Sequence, residues 1–195
     1  DFSREGYSLV VVNTGGSHDH LTEEYAAIRQ EMAAVADFFG EKALRFVHPE
    51  QLMQQLPALR EKAGERAILR AMHFFDENQR VKQTVQAIRR QDLTAVLTAL
   101  NESGESSWKL LQNVFCVGTE QPVTLALAIA GRLLNGRGAH RVHGGGFAGT
   151  TLNIVPDDLL KEFVEKMQAV FGPRACFVLD VRPQGAAVVF STAEG

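Results

Sequence analysis

The chain has 195 residues, 45% of them hydrophobic, with 20 basic and 23 acidic side chains and a formal net charge of -3 at pH 7. That is ample apolar content for one or two compact domains, and the interspersed charges offer no continuous basic face for nucleic acid, so a small neutral or anionic metabolite is the expected partner. No apolar run reaches the roughly 18 residues that cross a bilayer, and the opening DFSREGYSLVVVN lacks the charged and apolar regions of a secretory signal; cytoplasm is the expected compartment, with no membrane partner. Cys116 and Cys176 have neither C-x-x-C spacing nor a neighbouring His cluster, which reads as two small buried apolar residues rather than a disulfide or zinc site. The chain starts on Asp1 and enters a strand within a few residues, which reads as a piece of a longer protein; processing of the amino terminus is the alternative.

In chain order, SLVVVN from Ser8 to Asn13 is a β-branched run ending in a TGGS turn, so it predicts a buried strand. Thr22 then reads as the cap of a helix whose apolar stripe is Tyr25, Ile28, Met32, Val35 and Phe39, with Gly40 as its stop. A short helix is expected from Pro49 to Leu56. A long one follows from Glu65 to Arg90, with Ile68, Met72, Phe75, Val81, Val85 and Ile88 predicted inward, and a further helix spans Asp92 to Asn101. SGESS, Ser103 to Ser107, reads as a break, after which PVTLALAIAGRLL from Pro122 predicts a largely buried helix. Strands are predicted at Ala139 to His143, Thr150 to Val155, Cys176 to Val181 and Ala186 to Phe190. Between the second and third lies a helix from Pro156 to Phe171 with Leu159, Phe163, Met167 and Val170 inward. The expected fold is α+β: an antiparallel sheet, made of a ferredoxin-like ββαββ tail and the amino-terminal strand, covered by a helical block.

The glycine-rich HGGGFAGT, His143 to Thr150, is the most informative stretch. Consecutive glycines permit positive φ and close ligand approach, and a row of backbone N–H groups can hold phosphate oxygens; a tight structural turn uses the same residues. Gly144, Gly146 and Gly149 match G-x-G-x-x-G in letter, yet a strand rather than a helix follows, so the dinucleotide reading is weak. A Walker loop would end in Gly-Lys-Ser/Thr, and no lysine is present.

GAHRVHGGGFAGTTLNIV, Gly138 to Val155, resembles the third motif of the GHMP small-molecule kinases, where a strand, a glycine loop and a second strand precede a helix. Arg141, Gly144, Gly145, Gly146, Phe147 and Gly149 match, while His143, Ala148 and Thr150 replace Thr, Gly and Cys. Within that family, VVNTGGSHDHLTEEYAAIRQEM is similar to a galactokinase segment in His18, Glu24, Tyr25 and Arg29, with Gln30 where a second Arg is common. The resemblance implies that Tyr25 lies against the bound sugar, a task suited to a hydroxyl on an apolar ring. His18 is read as bonding its turn, and His18 with His20 are not read as metal ligands. HFFDENQRV resembles a family stretch on a long helix, with Glu77, Asn78 and Arg80 as packing groups. NESGESSW matches the family at Ser103 and Ser106, serines that read as caps or turns.

The resemblance covers nearly the whole chain and implies that residues 1–195 are the carboxy-terminal domain of such a kinase. The family's sugar-gripping block and serine-rich ATP loop have no counterpart here, so no catalytic residue and no metal ligand is assigned to this chain. ATP and Mg²⁺ are expected on the missing amino-terminal half, galactose between the halves, and Gly144, Gly145, Gly146, Phe147, Ala148 and Gly149 in support of the phosphate loop. By itself the chain is expected to be inactive and to self-associate through uncovered cleft surface. The alternatives are the same domain of a mevalonate- or homoserine-type kinase, and a non-catalytic sugar-binding or interaction module.

Overall fold

A computed structural model describes residues 2–15, 21–115, 120–181 and 184–186. Residues 187–190 of the expected strand at 186–190, His18, His20 and Cys116 lie outside them. Four strands, β1 (Tyr7–Asn13), β2 (Ala139–His143), β3 (Thr150–Pro156) and β4 (Cys176–Leu179), form one antiparallel sheet in the order β2-β3-β1-β4. The register pairs Val10 with Asn153 and with Val178, and Arg141 with Leu152. Because side chains alternate along a strand, Val10, Val12 and Val155 share one face. They form a core there with Ala130 and Leu134 of α6 (Pro122–Leu134) and Phe163 and Met167 of α7 (Asp157–Phe171).

A second core lies inside the helical block. α1 (Thr22–Phe38), α2 (Pro49–Gln54), α3 (Leu56–Lys62) and the first half of α4 (Glu65–Arg89) bring together Val35, Leu52, Leu59, Ile68 and Ala71. The single helix expected at residues 49–56 is thus a pair, since Pro57 enters the first turn of α3. Thr22 is the first helical residue rather than the cap, which is Leu21 without a side-chain bond.

The largest departure from the sequence reading falls on SGESS. α5 (Leu93–Ser106) runs straight through it and continues as a π-helical turn over Ser107–Leu111. Ser103, Ser106 and Ser107 are buried. Small residues here permit close packing rather than a break: a Cβ on Gly104 would stand 2.8 Å from the His140 carbonyl oxygen. One turn earlier on α5, Asn101 closes the free edge of β2, its Nδ2 donating to Gly138 O at 2.9 Å and its Oδ1 accepting from His140 N at 3.0 Å. The side-chain amide thereby stands in for a fifth strand and removes an exposed edge.

α4 is inward only over its first half. Val81, Val85 and Ile88 are 56%, 42% and 60% exposed, contrary to the expected stripe. The chain reverses at Gln91, and the face of α4 that meets α5 carries the small Ala87, which lets the helices approach and turns the larger residues outward. Val170 of α7 is likewise exposed, beyond the end of the sheet contacts made by Phe163 and Met167.

Replacing Asn101 by Ala leaves Gly138 O and His140 N without partners, at a cost of about 2 kcal/mol. Urea unfolding measures this; an unchanged midpoint would show that the edge does not need its cap.

Candidate functional site

The glycine loop is built between β2 and β3 and is held from two sides by residues distant in sequence. From α1, the Tyr25 hydroxyl donates to Gly146 O at 2.8 Å, and its ring stands edge-on to Phe147 with centroids 5.2 Å apart. From the segment after the π-helical turn, Asn113 Nδ2 donates to Gly145 O at 3.0 Å, and the backbone oxygen of Asn113 accepts from Phe147 N at 2.5 Å. The bond to a carbonyl fixes which end of the Asn113 amide is nitrogen. At the far end of the loop, Thr14 of β1's exit bonds Gly149 O through both its N–H and its hydroxyl.

These contacts need an unusual backbone. Gly146 has φ +86°, and a Cβ there would lie 1.9 Å from Asn113 O, so no side chain fits. Phe147 has φ +60° and Gln112 φ 58°, two non-glycine residues in the left-handed region on either side of one contact. Asn113 Oδ1 is buried without a hydrogen-bond partner among the described residues, an arrangement that costs about 1–3 kcal/mol. Ala148, which stands where the family commonly has Gly, is buried and is not among the positive-φ residues, so its Cβ needs no change of loop geometry.

Behind the site, Arg70 of α4 is 1% exposed and ties three elements together. Its Nη1 donates to Glu31 Oε2 of α1 at 2.8 Å, and its Nε donates to Leu111 O at 3.1 Å, two residues before Asn113. Burial pulls the Arg70 pKa down while the Glu31 carboxylate opposes that pull. Glu31 also accepts from Arg66 Nε at 2.8 Å, so one carboxylate offsets two guanidinium groups.

A second polar cluster joins α4, α5 and β2. His73 Nδ1 lies 2.8 Å from Ser106 Oγ, and Ser103 Oγ donates to Glu77 Oε1 at 2.6 Å. Glu77 is paired with Arg80, and Arg141 of the glycine motif approaches the same carboxylate at 3.9 Å. Glu77 and Arg80 therefore pack α4 against its neighbours, whereas Asn78 bonds Phe74 O of its own helix. Ser103 and Ser106 are internal ligands of this cluster, not caps. Burial lowers the pKa of His73 despite the nearby Glu77, and burial also lowers that of His140, beneath α6.

Of the residues singled out in the sequence, the structure brings Tyr25, Gly145, Gly146 and Phe147 together; Gly144 and Gly145 form the exposed tip of the loop. Arg29 is exposed. Asn113, Arg70 and Glu31 escaped the sequence reading. The one available signal for Asn113 was a polar pair, Gln112-Asn113, set inside the otherwise apolar LLQNVF.

The sheet, its helical cover and the glycine hairpin are those of the carboxy-terminal domain of a GHMP-type small-molecule kinase. Lactococcus lactis galactokinase, solved in complex with galactose, superposes with a TM-score of 0.69 at 21% identity, over 89% of this chain and 45% of that one. In sequence, the galactokinase of Glaesserella parasuis serovar 5 is 32% identical over 189 residues, which is 95% of this chain and 48% of the relative. The galactokinase of Actinobacillus pleuropneumoniae serotype 5b is 35% identical over 152 residues, 78% of this chain and 38% of the relative. No family model matches the sequence. The chain belongs to the galactokinase family, corresponds to its carboxy-terminal half, and spans about half the length of the curated relatives it matches.

Two predictions follow from this geometry. Gly146→Ala, which meets a backbone oxygen at 1.9 Å with φ +86°, destabilises the fold by about 3 kcal/mol or more, measured by denaturant unfolding. Because the folded state binds protons to His73 and His140 less readily than the unfolded chain does, stability falls as pH drops below the ordinary histidine value of 6.5 and recovers as pH rises. The urea midpoint is therefore lower at about pH 5.5 than at about pH 7.5, and replacing both histidines by Asn flattens that slope.

Proposed function

We propose that this chain is the carboxy-terminal half of a kinase that transfers the γ-phosphoryl group of ATP to the C1 hydroxyl of α-D-galactose, and that by itself it is inactive. The observation that carries the reading is the meeting of Tyr25 with the glycine loop, residues 121 apart in sequence. A sugar-facing phenol and a phosphate-facing backbone would have to be neighbours in such an enzyme, because the acceptor hydroxyl and the transferring group react in line.

The roles follow from the contacts. The Tyr25 hydroxyl donates to Gly146 O, which ties the phenol proposed to face the sugar to the loop proposed to face the phosphates. Gly144 and Gly145 expose backbone at the tip of a loop that carries no carboxylate between Arg141 and Thr151, an arrangement suited to phosphate oxygens. Mg²⁺ would neutralise charge on the transferring phosphates. We assign Mg²⁺, most of the ATP contacts and the catalytic acid–base group to the other half. The exposed Val81, Val85 and Ile88 of α4 and Phe177 and Leu179 of β4 support a chain that buries apolar surface against such a partner, with residues 1–195 as one domain. No described helix is long and apolar enough to cross a membrane, and we place the enzyme in the cytoplasm.

The test is phosphoryl transfer by the protein of the complete reading frame. With ATP and Mg²⁺ it forms galactose 1-phosphate, whereas the purified 195-residue chain forms none. Transfer by the isolated chain refutes its inactivity; transfer to mevalonate or homoserine in place of galactose, or to neither class, refutes the substrate.

A further inference from the structure

We infer that Asn113 is a positioning residue of the glycine loop, setting where Gly144 and Gly145 stand relative to Tyr25 and hence where a phosphoryl group stands relative to a sugar. The inference rests on the kinase reading above.

Asn113 grips both ends of one short segment. Its Nδ2 holds Gly145 O at 3.0 Å, and its backbone oxygen holds Phe147 N at 2.5 Å. The peptide between Gly146 and Phe147 is thus fixed from opposite sides, by Tyr25 on its oxygen and by Asn113 on its N–H, and a planar trans peptide held at both ends cannot rotate. The tip, Gly144 and Gly145, is left exposed.

The fold maintains this against local preference. Gln112 and Phe147 both occupy the left-handed region without being glycine, and Asn113 Oδ1 is buried without a partner among the described residues. A glycine at either of the first two positions, or an apolar residue at 113, would relieve the corresponding cost. Three unfavourable features gathered on one contact indicate a geometry retained for what the loop does. The contact is itself anchored: Leu111 O, two residues upstream, accepts from the buried Arg70.

Two variants of the full-length protein test the inference. Asn113→Ala removes the donor, and Asn113→Asp keeps the size while turning an acceptor toward Gly145 O. Both are expected to lower kcat/KM for ATP by about a hundredfold, the scale of a misplaced reacting group. KM for ATP rises, while KM for galactose stays within about twofold, a split that partial unfolding cannot produce because losing folded enzyme moves no KM. Loss of kcat with both KM values unmoved, or wild-type kinetics in Asn113→Asp, overturns the inference. Amide hydrogen exchange in the 195-residue chain supplies a readout independent of activity. In Asn113→Ala, exchange at Phe147 is at least about tenfold faster while Val10 and Val155 in the sheet are unchanged. Unaltered loop exchange overturns the positioning role whatever the activity, whereas an inactive wild type with accelerated loop exchange in the variant overturns the kinase reading alone.

Discussion

A single close approach, the backbone of Gly146 lying on the backbone of Asn113, organises the site. Two main chains can come this near only if one of them lacks a Cβ, and the 1.9 Å separation that an added Cβ would have from Asn113 O expresses how completely the space is used. Tyr25 can then reach Gly146 O from the opposite side, Phe147 turns its ring toward Tyr25, and the loop tip is pushed outward. Upstream, the π-helical turn and left-handed Gln112 deliver Asn113 to that point, and the buried Arg70 holds the turn by Leu111 O. A guanidinium so fully removed from water is tolerable only because Glu31 meets it with opposite charge and the carbonyl takes a further N–H.

The same logic of small residues and internal polar ligands joins the two cores. Gly104 lets α5 lie against β2, Asn101 satisfies the strand's open edge, Ser103 donates to Glu77, and the Ser106 hydroxyl is hydrogen-bonded to His73 Nδ1. The hydrophobic effect fills these cores, and a third where Val114 meets Val123, Leu127 and Val142, but it has no direction. Hydrogen bonds between the layers supply the direction, and they fix where the helical block sits on the sheet.

The surface left over is consistent with a domain that works against another. α4 spends its first half in the helical core and presents Val81, Val85 and Ile88 to solvent over its second, while β4 leaves Phe177 and Leu179 half open. On the function proposed above, this is the face against which the other half packs. On the same proposal, the site offers a hydroxyl and a shaped backbone that position, with charge neutralisation and proton transfer assigned to the other half.

Much of this was legible in the residues. The β-branched run SLVVVN, the apolar positions of α1, α6 and α7, and the glycine cluster between two strand-like runs follow from local rules that hold wherever such segments occur, so strands, helices and the hairpin could be read directly. The resemblance of the glycine loop and of the Tyr25 segment pointed to one family. What the sequence could not disclose was every feature that depends on which surfaces meet. SGESS looks like a break until β2 is placed against it, and Val81, Val85 and Ile88 look like core until the helix partner proves to be on Ala87's side. Asn113 looks like one polar residue in an apolar run until a loop 32 residues away is laid upon it. Periodicity records a residue's preference for burial, whereas its contacts are set by long-range packing, and only the tertiary structure decided those.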